Sequence, residues 1–168
     1  EIRKLPRGAG FSELKCGYTV IPKELVIQSL EGTEIQMNAL WNRRQRIRCN
    51  GASYVTQCAA TATYSETGQK QMHQTIEYYM DNVRRMRRIL GQLNLKIYGG
   101  EHIPYLWIKI PKESSSWEFF ESMLYCAKVI CTPGIVFGPG GEGYVRLSAF
   151  AGRHDCENAV CRLKDWLK

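Results

Sequence analysis

The chain has 168 residues, 44% of them hydrophobic and 11% aromatic, which is enough for a real core in one domain or slightly more. Nothing in it is low in complexity, and no apolar run reaches the roughly 18–20 residues that a membrane helix needs. The net charge of +7 is compatible with an acidic partner, but no nucleic-acid-binding motif accompanies it.

Seven cysteines, an odd number with no C-x-x-C pair, lead to the expectation of reduced thiols in a cytoplasmic protein rather than a disulfide framework. His73, His102 and His154 are scattered without metal-ligand spacing, so no metal site is expected. Residues 1–4 do not lead into the apolar stretch of a signal peptide. There is no initiating Met and the sequence opens abruptly on a strand, so an excised or truncated piece is expected.

In chain order, residues 1–17 read as a strand and an irregular loop. Residues 18–21 read as a short β-branched strand ended by Pro22, and Pro22 starts a turn or helix. Glu31-Gly32 breaks the pattern. Residues 38–48 are polar, with Leu40 and Trp41 inserted, and form a loop or helix that places Arg43, Arg44, Arg46 and Arg48. Asn50-Gly51-Ala52-Ser53 is a turn followed by a cap, and a helix rich in small residues is predicted over 54–64.

Gly68 is expected to separate that helix from a longer one near 70–90. There Ile76, Tyr79, Met80, Val83, Met86 and Leu90 recur at three- and four-residue spacing, with Arg84, Arg85, Arg87 and Arg88 mostly off the stripe. Gly91 is expected as its C-cap. A compact α/β unit follows. Strands are predicted at 95–98, 105–110, 129–131 and 144–150. One helix begins at Trp117 under a Ser116 cap, with Phe119, Phe120, Met123, Leu124 and Ala127 facing inward. A final helix is capped by Asp155 and carries Val160, Leu163, Trp166 and Leu167.

The most informative stretch runs from Phe137 to Leu147. A glycine loop, Gly138-Pro139-Gly140-Gly141-Glu142-Gly143, delivers Arg146 onto a strand. An arginine there can hold a carboxylate with two parallel N–H···O bonds. By spacing alone a plain turn beside a surface arginine is the commoner meaning of such a pattern.

Several segments together resemble the LL-diaminopimelate aminotransferases, within the fold-type-I pyridoxal-phosphate enzymes. They are Leu40-Trp41-Asn42-Arg43-Arg44-Gln45, Asn50-Gly51-Ala52-Ser53-Tyr54, Tyr98-Gly99-Gly100, Pro104-Tyr105-Leu106-Trp107, Ser116-Trp117-Glu118-Phe119-Phe120, Thr132-Pro133-Gly134, and the glycine loop ending in Arg146-Leu147-Ser148-Ala149-Phe150. Each is modest alone, but their colinear order over essentially the whole chain is specific.

The resemblance implies an α/β fold, the C-terminal part of a fold-type-I transferase. Residues 1–69 would be the end of the large cofactor domain, 70–92 a connecting helix and 93–168 the small α/β domain. It implies amino-group transfer between LL-diaminopimelate and 2-oxoglutarate on pyridoxal 5'-phosphate, in lysine biosynthesis, by a homodimer with active sites at the subunit interface. Arg146 matches the family arginine that grips the substrate α-carboxylate, and Asn50 an asparagine that reaches into the partner's site.

The departures are concentrated at the cofactor motif. The family's Ser-Phe-Ser-Lys precedes a small residue and then Ala-Gly-Phe. Here Ala9-Gly10-Phe11 is intact but the four preceding motif positions read Lys4-Leu5-Pro6-Arg7. Arg7 stands where the Schiff-base lysine belongs, and a guanidinium protonated to above pH ~12 cannot form that imine. Lys4 replaces a phosphate-binding serine and Lys15 a phosphate-binding arginine, so both are degenerate phosphate-site positions. Lys4 lies three residues from position 7, an odd separation that faces it the other way on a regular strand. Ile135-Val136 replaces small residues usual after the Thr-Pro-Gly turn.

The expected reading is therefore a truncated or degenerate aminotransferase, inactive alone. Activity supplied by a complementary N-terminal half is a second reading. A non-catalytic binding protein using the arginine-rich surface, on nucleic acid for example, is a third.

Overall fold

A computed structural model describes residues 1–5, 15–111 and 114–168. The calls on Arg7 and on Ala9-Gly10-Phe11 fall outside the described residues. Compact packing divides the chain into two units, residues 1–75 and 76–168, with the boundary inside one long helix.

The first unit holds two antiparallel strand pairs and helices. Strand β1 (Ile2–Lys4) pairs with β2 (Gly17–Thr19), and β3 (Val26–Gln28) with β4 (Glu34–Gln36). The β3–β4 hairpin is absent from the sequence reading, which has a turn or helix beginning at Pro22. Its strands are only three residues long, too short to show alternation. Gly32, at φ 78°, supplies the left-handed residue of its turn. Helix α1 (Met37–Arg48) follows directly and buries none of its residues. Helix α2 (Tyr54–Ala62) begins as expected under Ser53, whose hydroxyl accepts from the Thr56 amide at 3.2 Å. Among the described residues of this unit only Leu5 and Thr56 are buried. Leu25, Leu30, Ile47, Tyr54 and Val55 are exposed.

Gly68 does not separate the helices. It lies inside α3 (Glu66–Leu90), where a Cβ would overlap the carbonyl oxygen of Ala62. The glycine is there because the end of α2 passes against it, a tertiary reason that local propensity does not carry. Gly91 follows α3 and donates to the Arg87 carbonyl at 2.8 Å, but it does not adopt the left-handed conformation expected of a C-cap glycine.

The second unit contains the core. A four-stranded antiparallel sheet has the order β5 (Ile97–Gly99), β6 (Tyr105–Lys109), β8 (Tyr144–Ser148), β7 (Thr132–Pro133). Leu106 and Ile108 of β6 lie opposite Leu147 and Val145 of β8 and turn to one face. They join Val83, Met86 and Leu90 of α3, Phe119 and Met123, and Val160 and Leu163 of the last helix in one cluster. The predicted α3 stripe is thus the core face from Met80 onward, while Ile76 is exposed.

Helix α4 (Ser116–Ser122) starts one residue earlier than expected. Ser115 is the cap, in a reciprocal box with Glu118. It continues through a wide turn, residues 123–127, and ends at Lys128 with φ 55°. The strand expected at 129–131 is instead β7, made by Thr132–Pro133. Helix α5 (Arg153–Trp166) is preceded by Gly152, which makes no side-chain cap, and Asp155 sits in its first turn rather than capping it. There its charge favours the helix N-terminus.

Candidate functional site

The open face of the β5–β6–β8–β7 sheet carries the side chains that alternate with the core. Register places Tyr98, Trp107, Arg146 and Thr132 in one row across the four strands. Arg146 is therefore fixed by backbone bonding on both sides, and the alternation of β8 that buries Val145 and Leu147 turns it to the opposite face.

Two rings flank the guanidinium. Its Cζ lies 4.3 Å from the centroid of Tyr105 on β6 and 4.4 Å from that of Phe137 in the short helical turn after β7. Phe137 is itself set edge-on to Trp107 at 5.2 Å, and Tyr105 edge-on to Phe150 at 5.3 Å. The Nε of Arg146 is buried without a hydrogen-bond partner. Among the described residues none of the ion pairs includes it. A half-buried, always charged fork with an unsatisfied N–H is suited to accept a carboxylate or similar oxyanion.

The glycine loop positions this arginine by close backbone approach. A Cβ on Gly134 would overlap the Gly141 carbonyl and one on Gly141 the Gly134 carbonyl, so both must lack side chains. Gly138 (φ 110°) and Gly143 (φ 78°) occupy conformations that L side chains rarely adopt. The loop is then tied to α4. The Ser116 amide donates to Glu142 Oε1 at 2.7 Å, the Gly143 amide donates to the Ser116 hydroxyl at 3.1 Å, and the Ile110 amide donates to the Gly143 carbonyl at 2.9 Å.

The other sequence-derived positions lie in the first unit. Lys4 pairs with Gly17 at the end of the β1–β2 ladder, and the Leu5 amide donates to the carbonyl of Cys16, the residue after Lys15, at 3.0 Å. Both lysines are exposed. Asn50 is exposed and left-handed (φ 50°) at the end of α1, its amide donating to the Gln45 carbonyl at 3.0 Å. Leu5, Cys16 and Gly51, the chain neighbours of these three residues, line one open cleft with Tyr18 and Tyr64. The bond between those two tyrosines holds the Tyr18 hydroxyl above its ordinary pKa.

Three of the four arginines of the second cluster are engaged within the chain. Arg84 pairs with Glu77, Arg85 with Asp81 and Glu157, and Arg87 with Glu101. Pairing leaves these three less available to phosphates, which weighs against the nucleic-acid alternative on this face of α3. Among the described residues there is no group of His, Cys, Asp or Glu able to hold a metal, and no helix long and apolar enough to cross a membrane. Tyr105, Phe137, Ser116 and Glu142 have no part in the sequence-derived site. Tyr105 is signalled by its alternation with Leu106 and by the Pro104-Tyr105-Leu106-Trp107 segment, but nothing local marks it or Phe137 as a neighbour of Arg146.

Comparison with known proteins identifies relatives of this chain. Residues 10–163 match the family "Aminotransferase class I and II". The chain is 53% identical over 167 residues to an LL-diaminopimelate aminotransferase of Phocaeicola vulgatus, covering 99% of this chain and 41% of that protein. It is 46% identical over 98% of its length to one from Lawsonia intracellularis. The chain thus spans about two fifths of the length of the curated relatives it matches. Among solved structures it is similar to L,L-diaminopimelate aminotransferase from Chlamydomonas reinhardtii, with a TM-score of 0.80, 34% identity, and coverage of 90% of this chain and 36% of that one. It is also similar to an aromatic aminotransferase from Pyrococcus horikoshii, with a TM-score of 0.67 and 26% identity over 74% of this chain and 34% of that one.

Proposed function

Since this chain belongs to the aminotransferase class I and II family, we propose that it carries the substrate-carboxylate site of an LL-diaminopimelate aminotransferase without the covalent coenzyme anchor. Its fold is that of the C-terminal part of a fold-type-I transferase. Residues 1–69 then correspond to the end of the large domain, 70–92 to the connecting helix and 93–168 to the small domain.

The observation that carries the reading is the Arg146 guanidinium. It is half-buried between Tyr105 and Phe137, with its Nε unpartnered. A carboxylate meeting that fork satisfies the orphan donor and neutralises a partly desolvated charge. The rings fix the plane of the guanidinium before a ligand arrives, which lowers the ordering cost of binding. LL-diaminopimelate and 2-oxoglutarate both offer a carboxylate of this kind. Asn50 is assigned as the residue that reaches the partner's site in a homodimer.

Members of the family use pyridoxal phosphate, which supplies an electron sink for chemistry at the amino-bearing carbon. The residues of this chain do not fit its covalent attachment. Arg7 stands at the position of the lysine, and a guanidinium does not condense with an aldehyde at neutral pH. Lys4 and Lys15 are exposed point charges, in place of a serine and an arginine fork. They could attract a phosphate but do not enclose one. No transfer step is assigned to these residues, and the activity proposed for this chain alone is binding.

Two measurements test this. Incubation with pyridoxal phosphate and borohydride, followed by peptide mapping, is expected to show no site labelled above the general level of surface lysines. Titration with glutarate, a dicarboxylate probe, is expected to give binding that Arg146→Ala weakens by about 2 kcal/mol. A single stoichiometric coenzyme adduct, or glutarate affinity independent of Arg146, would overturn the reading.

A further inference from the structure

We infer that Asn82, on the core face of α3, is a positioning residue for Arg146. The inference rests on the reading of Arg146 as a carboxylate site only for its functional consequence, not for its geometry.

Asn82 is 1% exposed in a cluster that is otherwise apolar. Burial of an amide there is costly unless it is bonded, and it was not placed in the helix stripe by hydrophobic periodicity. Its Nδ2 donates to the Ala149 carbonyl at 3.3 Å and to the Ala151 carbonyl at 3.1 Å, while its Oδ1 has no partner. One side chain thus grips the backbone on either side of Phe150, where β8 ends and before α5 begins. A third bond, from the Ala149 amide to the Pro104 carbonyl at 3.0 Å, ties the same point to the start of β6.

What is held is the Phe150 ring. It packs 4.9 Å from Tyr79, three residues before Asn82 on α3, and 5.3 Å from Tyr105. Tyr105 in turn covers the Arg146 guanidinium at 4.3 Å. The contacts form an unbroken series from Asn82 through the 149–151 backbone, Phe150 and Tyr105 to Arg146. Each member is the wall against which the next one rests. Releasing Asn82 frees the two carbonyls and loosens the backbone that carries Phe150, which weakens one of the contacts that keep Tyr105 over the guanidinium. Two hydrogen bonds and a buried amide with one unsatisfied oxygen make Asn82 a poor choice for stability alone. A leucine would fill the position without an orphan acceptor but would leave the Ala149 and Ala151 carbonyls without this donor, so what the amide adds is its grip on that backbone.

The test compares the whole chain with Asn82→Leu, close in volume but unable to donate, and with Phe150→Leu, which breaks the next link while leaving Asn82 and its two hydrogen bonds in place. The ring-current shifts of the Arg146 side-chain protons are read by NMR without ligand. Glutarate affinity and Tm are measured on the same samples. In both variants the Arg146 shifts are expected to move toward those of a free arginine, and glutarate affinity to fall roughly tenfold, whatever the direction of the Tm change. A change in Tm with Arg146 shifts and glutarate affinity unaltered would mean that Asn82 is merely structural and would overturn the inference. Displaced Arg146 shifts in a protein whose natural form binds no glutarate would sustain the positioning role and reject the carboxylate reading instead. Should Asn82→Leu fail to fold, Phe150→Leu decides alone, and unchanged Arg146 shifts in it would refute the relay.

Discussion

The backbone amide of Ser116 donates to the carboxylate of Glu142 at 2.7 Å, while the Ser116 hydroxyl accepts from the amide of Gly143 at 3.1 Å. The start of α4 and the glycine loop before β8 are therefore one hydrogen-bonded unit, although 26 residues separate the pair. The loop's glycines allow its backbone to take these paths, and Ser116, fully buried, fixes which one it takes. Removing the hydroxyl leaves the Gly143 amide without that acceptor. Ser116→Ala is expected to lower unfolding stability by about 1–2 kcal/mol, read from urea denaturation. It should also broaden the amide signals of residues 141–143.

A lysine at position 146 keeps the charge but loses the fork and the planar stacking between Tyr105 and Phe137. Arg146→Lys should recover little of the glutarate affinity lost in Arg146→Ala, remaining about tenfold or more weaker than the natural protein by titration calorimetry. Equal binding by the lysine variant would show that only a point charge is used.

Gly134→Ala should be damaging although alanine is ordinarily the better residue. The new Cβ would overlap the Gly141 carbonyl and approach the Tyr144 carbonyl at 2.6 Å. The expected outcome is a loss of at least ~2 kcal/mol in stability by denaturant melts, with weakened glutarate binding because the displaced loop precedes Arg146. Gly140→Ala is the control, since nothing lies within 4 Å of its added carbon.

Acid should loosen the contact between α3 and α5. Asp81 bonds Arg85 at 2.9 Å and Arg153 at 2.8 Å, and the Arg85 hydrogen bond, aided by the charges of Arg85 and Arg153, holds its carboxyl below the usual range. A depressed native pKa contributes stability that is present above the unfolded value near ~4 and is lost as pH falls through the native one. Tm measured from pH 6 to 3 should drop less steeply below pH ~4 in Asp81→Asn than in the natural protein. The pairs are about one-third exposed, so the difference should shrink in high salt.

The cysteines should divide by burial. Burial pushes the Cys131 thiol up to about 12 and raises that of Cys156 as well. Both shifts disfavour the reactive thiolate, and burial keeps both sulfurs from reagent. Brief alkylation of the native chain at pH 8 should modify the exposed Cys49, Cys58, Cys126 and Cys161 and spare Cys131 and Cys156 until denaturant is added. Peptide mass mapping checks this.

The sequence alone determined what depends on local chemistry and on order along the chain. The spacing of Met80, Val83, Met86 and Leu90 marked the buried stripe of α3, because a helix returns a residue to the same face every three or four positions. Ser53 marked the start of α2, and the colinear motifs marked the family. That position 7 holds an arginine is likewise complete in the sequence, since it concerns which atoms are present.

Tertiary structure decided what depends on residues distant in the chain. Gly68 reads locally as a helix breaker, yet it sits within α3 because the Ala62 carbonyl leaves no room for a side chain. Arg146 was legible as a candidate, but the rings of Tyr105 and Phe137 that hold its plane come from the two sides of β8. The grip of Asn82 on residues 67 and 69 positions away has no sequence signal at all. Periodicity and capping report short-range forces, whereas these contacts exist only once the strand order brings separate segments within hydrogen-bond and ring-stacking reach.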